Sequence, residues 1–276
     1  MSDVFPAFPV SADADAGSGS ARRFGGIDRL YGAGTIARLS LARVGVIGIG
    51  GVGSWVAEAL ARSGVGTLKL VDLDNIAESN INRQIHALDA TLGQAKVDAM
   101  AARIQGINPH CRVDKVEDFL TPENAADLLC DLDAVADAVD NVRAKTAIAL
   151  HCRRQRLPLL MAGGAGGKTD PRRILVGDLA HTVQDPLLSK VRARLRREHG
   201  FTREAGKDFG IETVYSDEAV RRPAACDSGA PQGLSCTGYG SSVAMTACIG
   251  LFIAARILER LQRVERLQRA PSGEGA

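Results

Sequence analysis

The chain has 276 residues, of which 45% are hydrophobic, 24% charged and 4% aromatic, and its 34 Lys and Arg against 32 Asp and Glu give a formal net charge of +2. This composition excludes a disordered polymer, a collagen-like fibre and a disulfide-stapled mini-protein, and the length suits one large α/β domain or two small ones. The nearly balanced charge also excludes a general polycation, so binding of nucleic acid would require a local basic patch.

Helical and strand patterns alternate between residues 43 and 161. The predicted strands are 44–48, 67–72, 112–116, 134–139 and 157–161, and the predicted helices are 53–62, 94–105, 122–129 (opened by Thr121 as N-cap) and 143–154. This alternation is typical of an α/β fold with a doubly wound, mostly parallel sheet of the Rossmann-like type.

The remaining chain is interpreted as a C-terminal elaboration of the same domain, because no linker separates the two parts. We predict a strand at 173–176, a basic helix at about 186–199, a Gly- and Ser-rich stretch to Gly240, and a last helix. The domain then covers 22–262, with a core at 43–177 and the elaboration at 178–262. Residues 1–21 are predicted to form a disordered tail and residues 263–276 a flexible one.

Six cysteines are spaced irregularly and form no Cys-x-x-Cys pair, which argues against a zinc module and suits a reducing compartment. Residues 1–20 do not read as a signal peptide. The apolar run at 241–258 is interrupted by Arg256, so a buried or dimer-interface helix is favoured over a membrane span. We therefore expect a cytoplasmic protein without zinc and without a membrane anchor.

A glycine-rich loop follows the first predicted strand. Its sequence is Gly48-Ile49-Gly50-Gly51-Val52-Gly53, and it opens the first helix of the core. Backbone amides in such a loop can approach a phosphate, and Asp72 at the end of the second strand can bind ribose hydroxyls. The loop alone fits NAD, FAD and ATP equally well, and a strand–helix turn without any ligand is the alternative.

Polar residues farther along the chain narrow the choice to ATP. Arg83 and Lys96 suit a reaction that breaks a nucleoside triphosphate, because charge accumulates on the phosphoryl oxygens, whereas hydride transfer has no need of them. Asp140, at the end of the fourth strand, can hold Mg²⁺. Taken one at a time, Arg83 and Lys96 would be interpreted as surface charges, and Asp140 as a helix N-cap. The combination of the three residues favours a catalytic site.

This pattern resembles the E1-like adenylating family, which includes ubiquitin-activating enzymes and bacterial ThiF- and MoeB-type enzymes. The matching residues are Gly48, Gly50, Gly51, Gly53, Asp72, Asp74, Asn80, Arg83, Gln84, Lys96, Asp140 and Asn141. The resemblance implies binding of Mg-ATP by these residues, with Asp72 on the ribose, Asn80, Arg83 and Lys96 on the phosphates and Asp140 on the metal. It also implies a homodimer in which Arg29 (Arg23 less so) reaches the partner's phosphates.

The segments around residues 22–32, 80–88, 163–167 and 178–187, with Cys236, are similar to one bacterial branch of this family. That branch converts N6-threonylcarbamoyladenosine at position 37 of tRNA to its cyclic form, by adenylation of a carboxylate and intramolecular ring closure. The resemblance also implies an association with a cysteine desulfurase and sulfur acceptor, and a catalytic role for Cys236.

Two other functions stay open at this stage. One is adenylation of a ubiquitin-like sulfur-carrier protein, but the missing Cys-x-x-Cys pairs argue against it. The other is a non-catalytic scaffold or NAD-binding protein, but the presence of Arg83, Lys96 and Asp140 argues against that.

For docking of tRNA we single out the basic residues of one predicted helix. These are Lys190, Arg192, Arg194, Arg196 and Arg197, and a merely solvated helix face is the alternative.

Overall fold

A seven-stranded sheet forms the centre of the computed structural model, which describes residues 16–221 and 239–263. The strands are β1 Arg43–Ile47, β2 Thr67–Val71, β3 Arg112–Val116, β4 Ala134–Asp137, β5 Leu159–Ala162, β6 Ile174–Asp178 and β7 Glu212–Ser216. Their order is β3-β2-β1-β4-β5-β7-β6, and every neighbouring pair is parallel except β6 with β7. The predicted doubly wound, mostly parallel fold is confirmed.

Helices cover both faces of this sheet. They are α1 Ala16–Tyr31, α2 Thr35–Leu41, α3 Gly53–Arg62, α4 Lys96–Ile107, α5 Ala125–Leu128, α6 Val142–Gln155, α7 Pro186–Glu198 and α8 Val243–Leu261. Alternate residues of a strand point to opposite faces. Val44 and Val46 of β1 therefore pack in the cluster that contains α3, α4 and α8, whereas Ile47 packs in the cluster that contains α6 and α7.

The switch point of the sheet lies between β1 and β4, where connections leave in opposite directions. The carboxyl ends of β1, β2, β4 and β5 meet at one edge, and ligands of open α/β sheets bind at such an edge. The first glycine of the loop, Gly48, follows β1 directly with a φ of 87°. The fold thus places the glycine-rich loop at the position where a nucleotide is expected.

The structure corrects several predicted boundaries. The helix predicted at 122–129 shrinks to α5, because the side-chain oxygen of Asn124 accepts the Thr121 amide and holds the preceding residues in a turn. A strand, β7, occupies part of the stretch interpreted as a Gly- and Ser-rich loop. Helix α1 begins at Ala16, so the end of the segment predicted as a disordered tail is helical; residues 1–15 and 264–276 lie outside the described residues.

The cysteines divide by position. Cys111 and Cys152 are buried, as expected for small hydrophobic residues, and burial raises their thiol pKa values to about 11 and about 12. Cys130 is exposed rather than buried, because it lies just beyond the short α5, where its thiol donates to the Asp127 carbonyl. Cys226 and Cys236 lie outside the described residues.

Helix α8, which the sequence favours as a buried or dimer-interface helix, is buried on one side only. One side of it packs in the core, with Ile249, Ile253 and Ile257 fully buried, while Leu251 and Phe252 on the other side are 48% and 44% exposed. Among the helices in residues 16–221 and 239–263, none combines the length and hydrophobicity needed to cross a bilayer.

Candidate active site

A cleft of about 780 Å³ opens at the carboxyl edge of the sheet. Loops after β1, β2, β4 and β5 form its walls. Most residues that the sequence pattern singled out line it, namely Gly48, Gly50, Gly51, Asp72, Asp74, Asn80, Arg83, Gln84, Lys96, Asp140 and Asn141. The fold therefore brings together groups spread over almost a hundred positions of the chain.

The glycine-rich loop packs so closely that side chains are excluded at two positions. A Cβ on Gly53 would overlap the Gly48 carbonyl oxygen, and one on Gly48 would lie 3.0 Å from the Ala138 carbonyl carbon and oxygen. No side chain caps the N-terminus of α3 among the described residues. The amides of Ser54 and Trp55 donate to the Gly50 and Val52 carbonyls, both at 3.1 Å. An anion would therefore meet the amides of the loop just before α3, where the helix dipole adds partial positive charge.

Asp72 fixes the shape of this loop from the end of β2. One carboxylate oxygen accepts the Ile49 amide at 2.6 Å and the other accepts the Asp74 amide at 2.9 Å. Burial raises the pKa of Asp72, while the nearby Lys96 ammonium, 3.8 Å away, opposes that shift. Asp72 is thus both a wall of the cleft and a support of the glycine-rich loop.

Lys96 is held in place by two carboxylates. It begins α4 and is only 6% exposed, and its ammonium lies 2.7 Å from Asp74 Oδ2 in addition to the contact with Asp72. A lysine so placed has lost most of its rotamer freedom before any ligand arrives. The cleft therefore carries a preorganised cation next to the glycine-rich loop.

The turn that contains Asn80, Arg83 and Gln84 forms another wall. The Asn80 side chain accepts the Ala77 amide, and the Trp55 indole donates to the Arg83 carbonyl at 3.0 Å. Arg83 donates through Nη1 to Ser79 O and Asn82 Oδ1. Its Nε and Nη2 have no partner among the described residues, so they can donate to a phosphate.

The loop after β4 presents Asp140 and Asn141. Asn141 caps α6, because its side-chain oxygen accepts the amides of Arg143 and Ala144 at 2.8 and 3.1 Å. Asp140, for which a capping role was the alternative, is exposed, and its side chain forms no hydrogen bond or ion pair within the described part of the chain. Its carboxylate is free to bind a cation.

Beneath this loop lies an ion pair that the sequence analysis missed. Asp137 ends β4 and Lys145 lies on α6, their charged atoms are 3.0 Å apart, and both side chains are 0% exposed. Asp137 also accepts the Val139 amide at 3.2 Å, which fixes the start of the loop that carries Asp140. Burial raises the pKa of Asp137, and the Lys145 ammonium counteracts the shift.

We expect Lys145→Met to lower the free energy of unfolding by about 3–5 kcal/mol, because it leaves a buried carboxylate without its partner. The double variant Asp137→Asn with Lys145→Met should recover most of that loss, since the asparagine oxygen still accepts the Val139 amide and no charge stays buried. Urea unfolding of the three proteins measures both values. A single-variant loss below about 1 kcal/mol would contradict this account.

The side of the cleft opposite the glycine-rich loop was also not predicted from the sequence as part of the site. It is lined by Gly163, Gly164, Lys168 and Asp185, and the last two side chains are buried with charged atoms 3.7 Å apart. Asp185 accepts the Gly164 amide at 2.8 Å and the Leu188 amide at 3.0 Å. The only signal in the sequence was the pairing of a glycine-rich segment with an Asp-Pro helix start.

The remaining candidates lie away from the cleft or outside the described residues. Arg29 is exposed on α1 and does not line the cleft of its own chain. Cys236 belongs to residues 222–238, which the structure does not describe. The five basic residues lie on α7 as predicted, but they do not form one open surface.

Internal contacts engage most of these α7 residues. Arg192 donates to Thr182, and Arg196 donates to the Thr202 carbonyl and lies over the Phe209 ring. Arg194 and Arg197 both pair with Glu198, at 2.8 and 2.6 Å. Lys190 is the member that extends into solvent without an ion pair among the described residues.

His86 follows the Arg83–Gln84 turn and is a buried histidine without a hydrogen-bond partner for either ring nitrogen among the described residues. Burial, and then the charges of Lys96 and Arg103, lower its pKa from 6.5 to about 4. The unfolded chain therefore binds more protons than the native one between these values. The stability that the neutral imidazole gives is complete above pH 6.5 and is lost as the pH falls towards 4.

His86→Met should remove this pH dependence, because the replacement is apolar and does not titrate. We expect the wild type to lose about 2 kcal/mol of unfolding free energy through this residue between about pH 7.5 and 5, and the variant to lose correspondingly less. Urea unfolding at the two pH values measures the difference, with the exposed His110→Gln as control. Parallel curves for wild type and His86→Met would disprove it.

Comparison with known proteins gives consistent matches over most of the chain. A family model described as ThiF family matches residues 26–272. The tRNA threonylcarbamoyladenosine dehydratase of Haemophilus influenzae is 44% identical over 244 residues, covering 87% of this chain and 93% of that protein, and that of Escherichia coli is 42% identical over 250 residues with the same coverage. The crystal structure of the E. coli enzyme in complex with ATP is similar with a TM-score of 0.83 and 41% identity, covering 92% of this chain and 100% of the other.

Proposed function

The chain belongs to the ThiF family, and from that premise we propose that it is an ATP-dependent tRNA threonylcarbamoyladenosine dehydratase. The observation that carries the proposal is the cleft itself. The half of the cleft that contains the glycine-rich loop, Arg83 and Lys96, here called the nucleotide half, is continuous with a second half lined by Gly164 and Lys168. A triphosphate and a second substrate can therefore meet in one cavity. The enzymes of this name from H. influenzae and E. coli match this chain over 93% of their length.

The first step is transfer of AMP to the substrate carboxylate. A carboxylate oxygen attacks the α-phosphorus of ATP and pyrophosphate leaves, which gives a mixed anhydride. Charge rises on the phosphoryl oxygens as the bond to pyrophosphate breaks, so preorganised cations lower the barrier. Lys96, fixed by Asp72 and Asp74, and the unpartnered nitrogens of Arg83 supply positive charge on the two sides of the glycine-rich loop.

The second step closes the ring. An amide nitrogen of the same modified base attacks the activated carbonyl, loses its proton, and AMP departs, so that the net change of the substrate is loss of water. Because nucleophile and electrophile belong to one molecule, correct placement supplies most of the rate. No thiol is needed for this step; roles for Cys236 and for a cysteine desulfurase and sulfur acceptor stay predictions.

The residues of the cleft fit a magnesium ion. Mg²⁺ is usually bound by one or two carboxylates together with substrate phosphates and waters. Asp140 provides such a carboxylate, exposed in the cleft and without an internal partner among the described residues, whereas the Asn141 oxygen is occupied by helix capping. Mg²⁺ held by Asp140 would supply charge neutralisation at the phosphates of ATP.

A homodimer completes the proposal. The outer side of α8 is apolar over the first half of the helix, with Val243, Ala247, Leu251 and Phe252 all at least partly exposed, and such a face on an otherwise buried helix is typical of a subunit interface. Arg29, which does not line the cleft of its own chain, would then reach the partner's phosphates. Sedimentation velocity tests the oligomeric state.

Formation of AMP from ATP tests the proposed reaction. The protein is incubated with Mg-ATP and either tRNA that carries threonylcarbamoyladenosine, the same tRNA without the modification, or a ubiquitin-like sulfur-carrier protein. We expect AMP only with the modified tRNA, together with a product nucleoside lighter by one water. AMP that appears only with the carrier protein would replace this proposal by the carrier-activating function.

A further inference from the structure

A second depression adjoins the cleft, and the adenylation chemistry leaves it without a role. It is a groove of about 410 Å³ at the first turns of α7. Its walls include Thr182, Asp185, Pro186, Arg192, Val220 and Tyr239. Because Asp185, Pro186, Val220 and Tyr239 also line the cleft, a ligand can extend from one into the other.

Arg192 is held at the wall of this groove by hydrogen bonds from one nitrogen of its guanidinium group. Nη1 donates to the Thr182 carbonyl at 2.8 Å, to Thr182 Oγ1 at 2.6 Å and to the Leu179 carbonyl at 3.3 Å. Nε and Nη2 have no hydrogen-bond partner within the part of the chain that the structure describes. The guanidinium is therefore fixed in orientation while its other donors are unused.

The charge of this guanidinium is also unbalanced. Among the described residues no carboxylate lies within 4.0 Å of Arg192, in contrast to Arg194 and Arg197 on the same helix. Burial, and then repulsion from Arg196, lower the pKa of Arg192. A half-buried, rigid cation without a counter-ion binds an anion at little further cost in desolvation or side-chain entropy.

Tyr239 lies where the groove meets the cleft. It lines both cavities and is half-buried, so one part of its side chain is accessible from the groove. Nucleobases stack on such aromatic side chains in single-stranded RNA recognition, because every base offers a flat apolar face. A base that passes from the groove into the cleft has to pass this residue.

We propose that the groove binds the backbone of the tRNA at the modified nucleoside, with Arg192 on a phosphate and Tyr239 against the base that enters the cleft. The inference rests on the proposed function and specifies the path of its substrate. It also separates Arg192 from the other four basic residues of α7, none of which lines the groove.

The salt dependence of tRNA binding tests the phosphate contact. Affinity for the modified tRNA is measured over a range of salt concentrations for wild type, Arg192→Gln and Arg192→Lys. Loss of one phosphate contact should weaken binding about tenfold and lower the slope of log affinity against log salt by about one. Arg192→Lys keeps the charge and should keep most of the slope. Arg112→Gln, on the edge strand β3 at the other end of the sheet order, should behave as wild type.

Three results would overturn the phosphate assignment. The first is an unchanged slope in Arg192→Gln. The second is an equal loss of slope in Arg192→Lys and Arg192→Gln, which would indicate a structural role through Thr182. The third is a loss of affinity for ATP in the absence of tRNA, which would place the nucleotide's phosphates at Arg192. If the wild-type protein forms no AMP with modified tRNA, that result contradicts the proposed function itself, whatever the Arg192 variants show.

The stacking contact has its own pair of variants. Tyr239→Phe keeps an aromatic face and should retain affinity for the modified tRNA, whereas Tyr239→Ala should weaken binding by about five- to a hundredfold. The salt slope should be the same in both, because no charge changes. Equal affinities of the Phe and Ala variants would rule out stacking while leaving the phosphate contact to the Arg192 measurements.

Discussion

Replacing Lys96 by methionine should lower kcat/KM for ATP by about 10²–10³, the usual effect of removing one preorganised group that stabilises developing charge. The ammonium lies next to the glycine-rich loop, is 6% exposed, and is fixed by Asp74 at 2.7 Å. Methionine keeps the unbranched shape of the side chain, one atom shorter, but not its charge. AMP release with modified tRNA, followed at several ATP concentrations, measures the effect.

One control variant and one stability measurement separate an effect on chemistry from an effect on folding. Lys115→Met removes an exposed lysine that pairs with Asp98 and should leave the rate unchanged. Lys96→Met also removes the cation beside the buried Asp72, so its unfolding free energy is measured in parallel, and the rate is compared at a temperature where both proteins are folded. A folded Lys96→Met with wild-type kcat/KM would exclude a catalytic role for Lys96.

Asp140→Asn should lower turnover about a hundredfold at a fixed Mg²⁺ concentration and raise the Mg²⁺ concentration for half-maximal rate about tenfold or more, since a neutral amide replaces the carboxylate proposed to hold the ion. The side chain is exposed and forms no hydrogen bond or ion pair among the described residues. We therefore expect no change in stability, so that the whole effect appears in catalysis. Titration of the rate with Mg²⁺ gives both numbers.

Asp127→Asn is the matched control, because Asp127 is an exposed aspartate on α5 that does not line the cleft. Its Mg²⁺ curve should coincide with that of the wild type. A proportional loss of rate in Asp140→Asn at every Mg²⁺ concentration, without a shift of the curve, would assign Asp140 a role other than binding the metal.

The nucleotide half of the cleft was predictable because its signals are local. The loop from Gly48 to Gly53 lies between a strand and a helix, and Asp72 and Asp140 come directly after or close to strand ends. Parallel strands bring their carboxyl ends to one edge, so the position of each residue relative to its own strand was sufficient to predict that they meet. Side-chain contacts, such as the hydrogen bond from the Ile49 amide to Asp72, add detail to this prediction but do not change it.

The second half was not predictable, because it depends on contacts between distant segments. Strand β7 inserts between β5 and β6, and this order is not visible in a five-residue run such as Glu212–Ser216. The buried lysines gave no signal either. Lysine is rarely fully buried, so a sequence gives no reason to place Lys145 and Lys168 in the interior, and only the placement of Asp137 and Asp185 next to them makes their burial possible.

The double hydrogen bonding of Asp185 has a consequence for experimental design. The Asp185 carboxylate accepts the amides of Gly164 and Leu188 and so connects the loop after β5 to the first turn of α7. The loop that lines the cleft and the helix that carries Arg192 are therefore held by the same side chain. A substitution there would disturb catalysis and substrate binding together and could not distinguish them. Variants at Arg192 or Tyr239, which leave that junction intact, are the ones that report on a single wall.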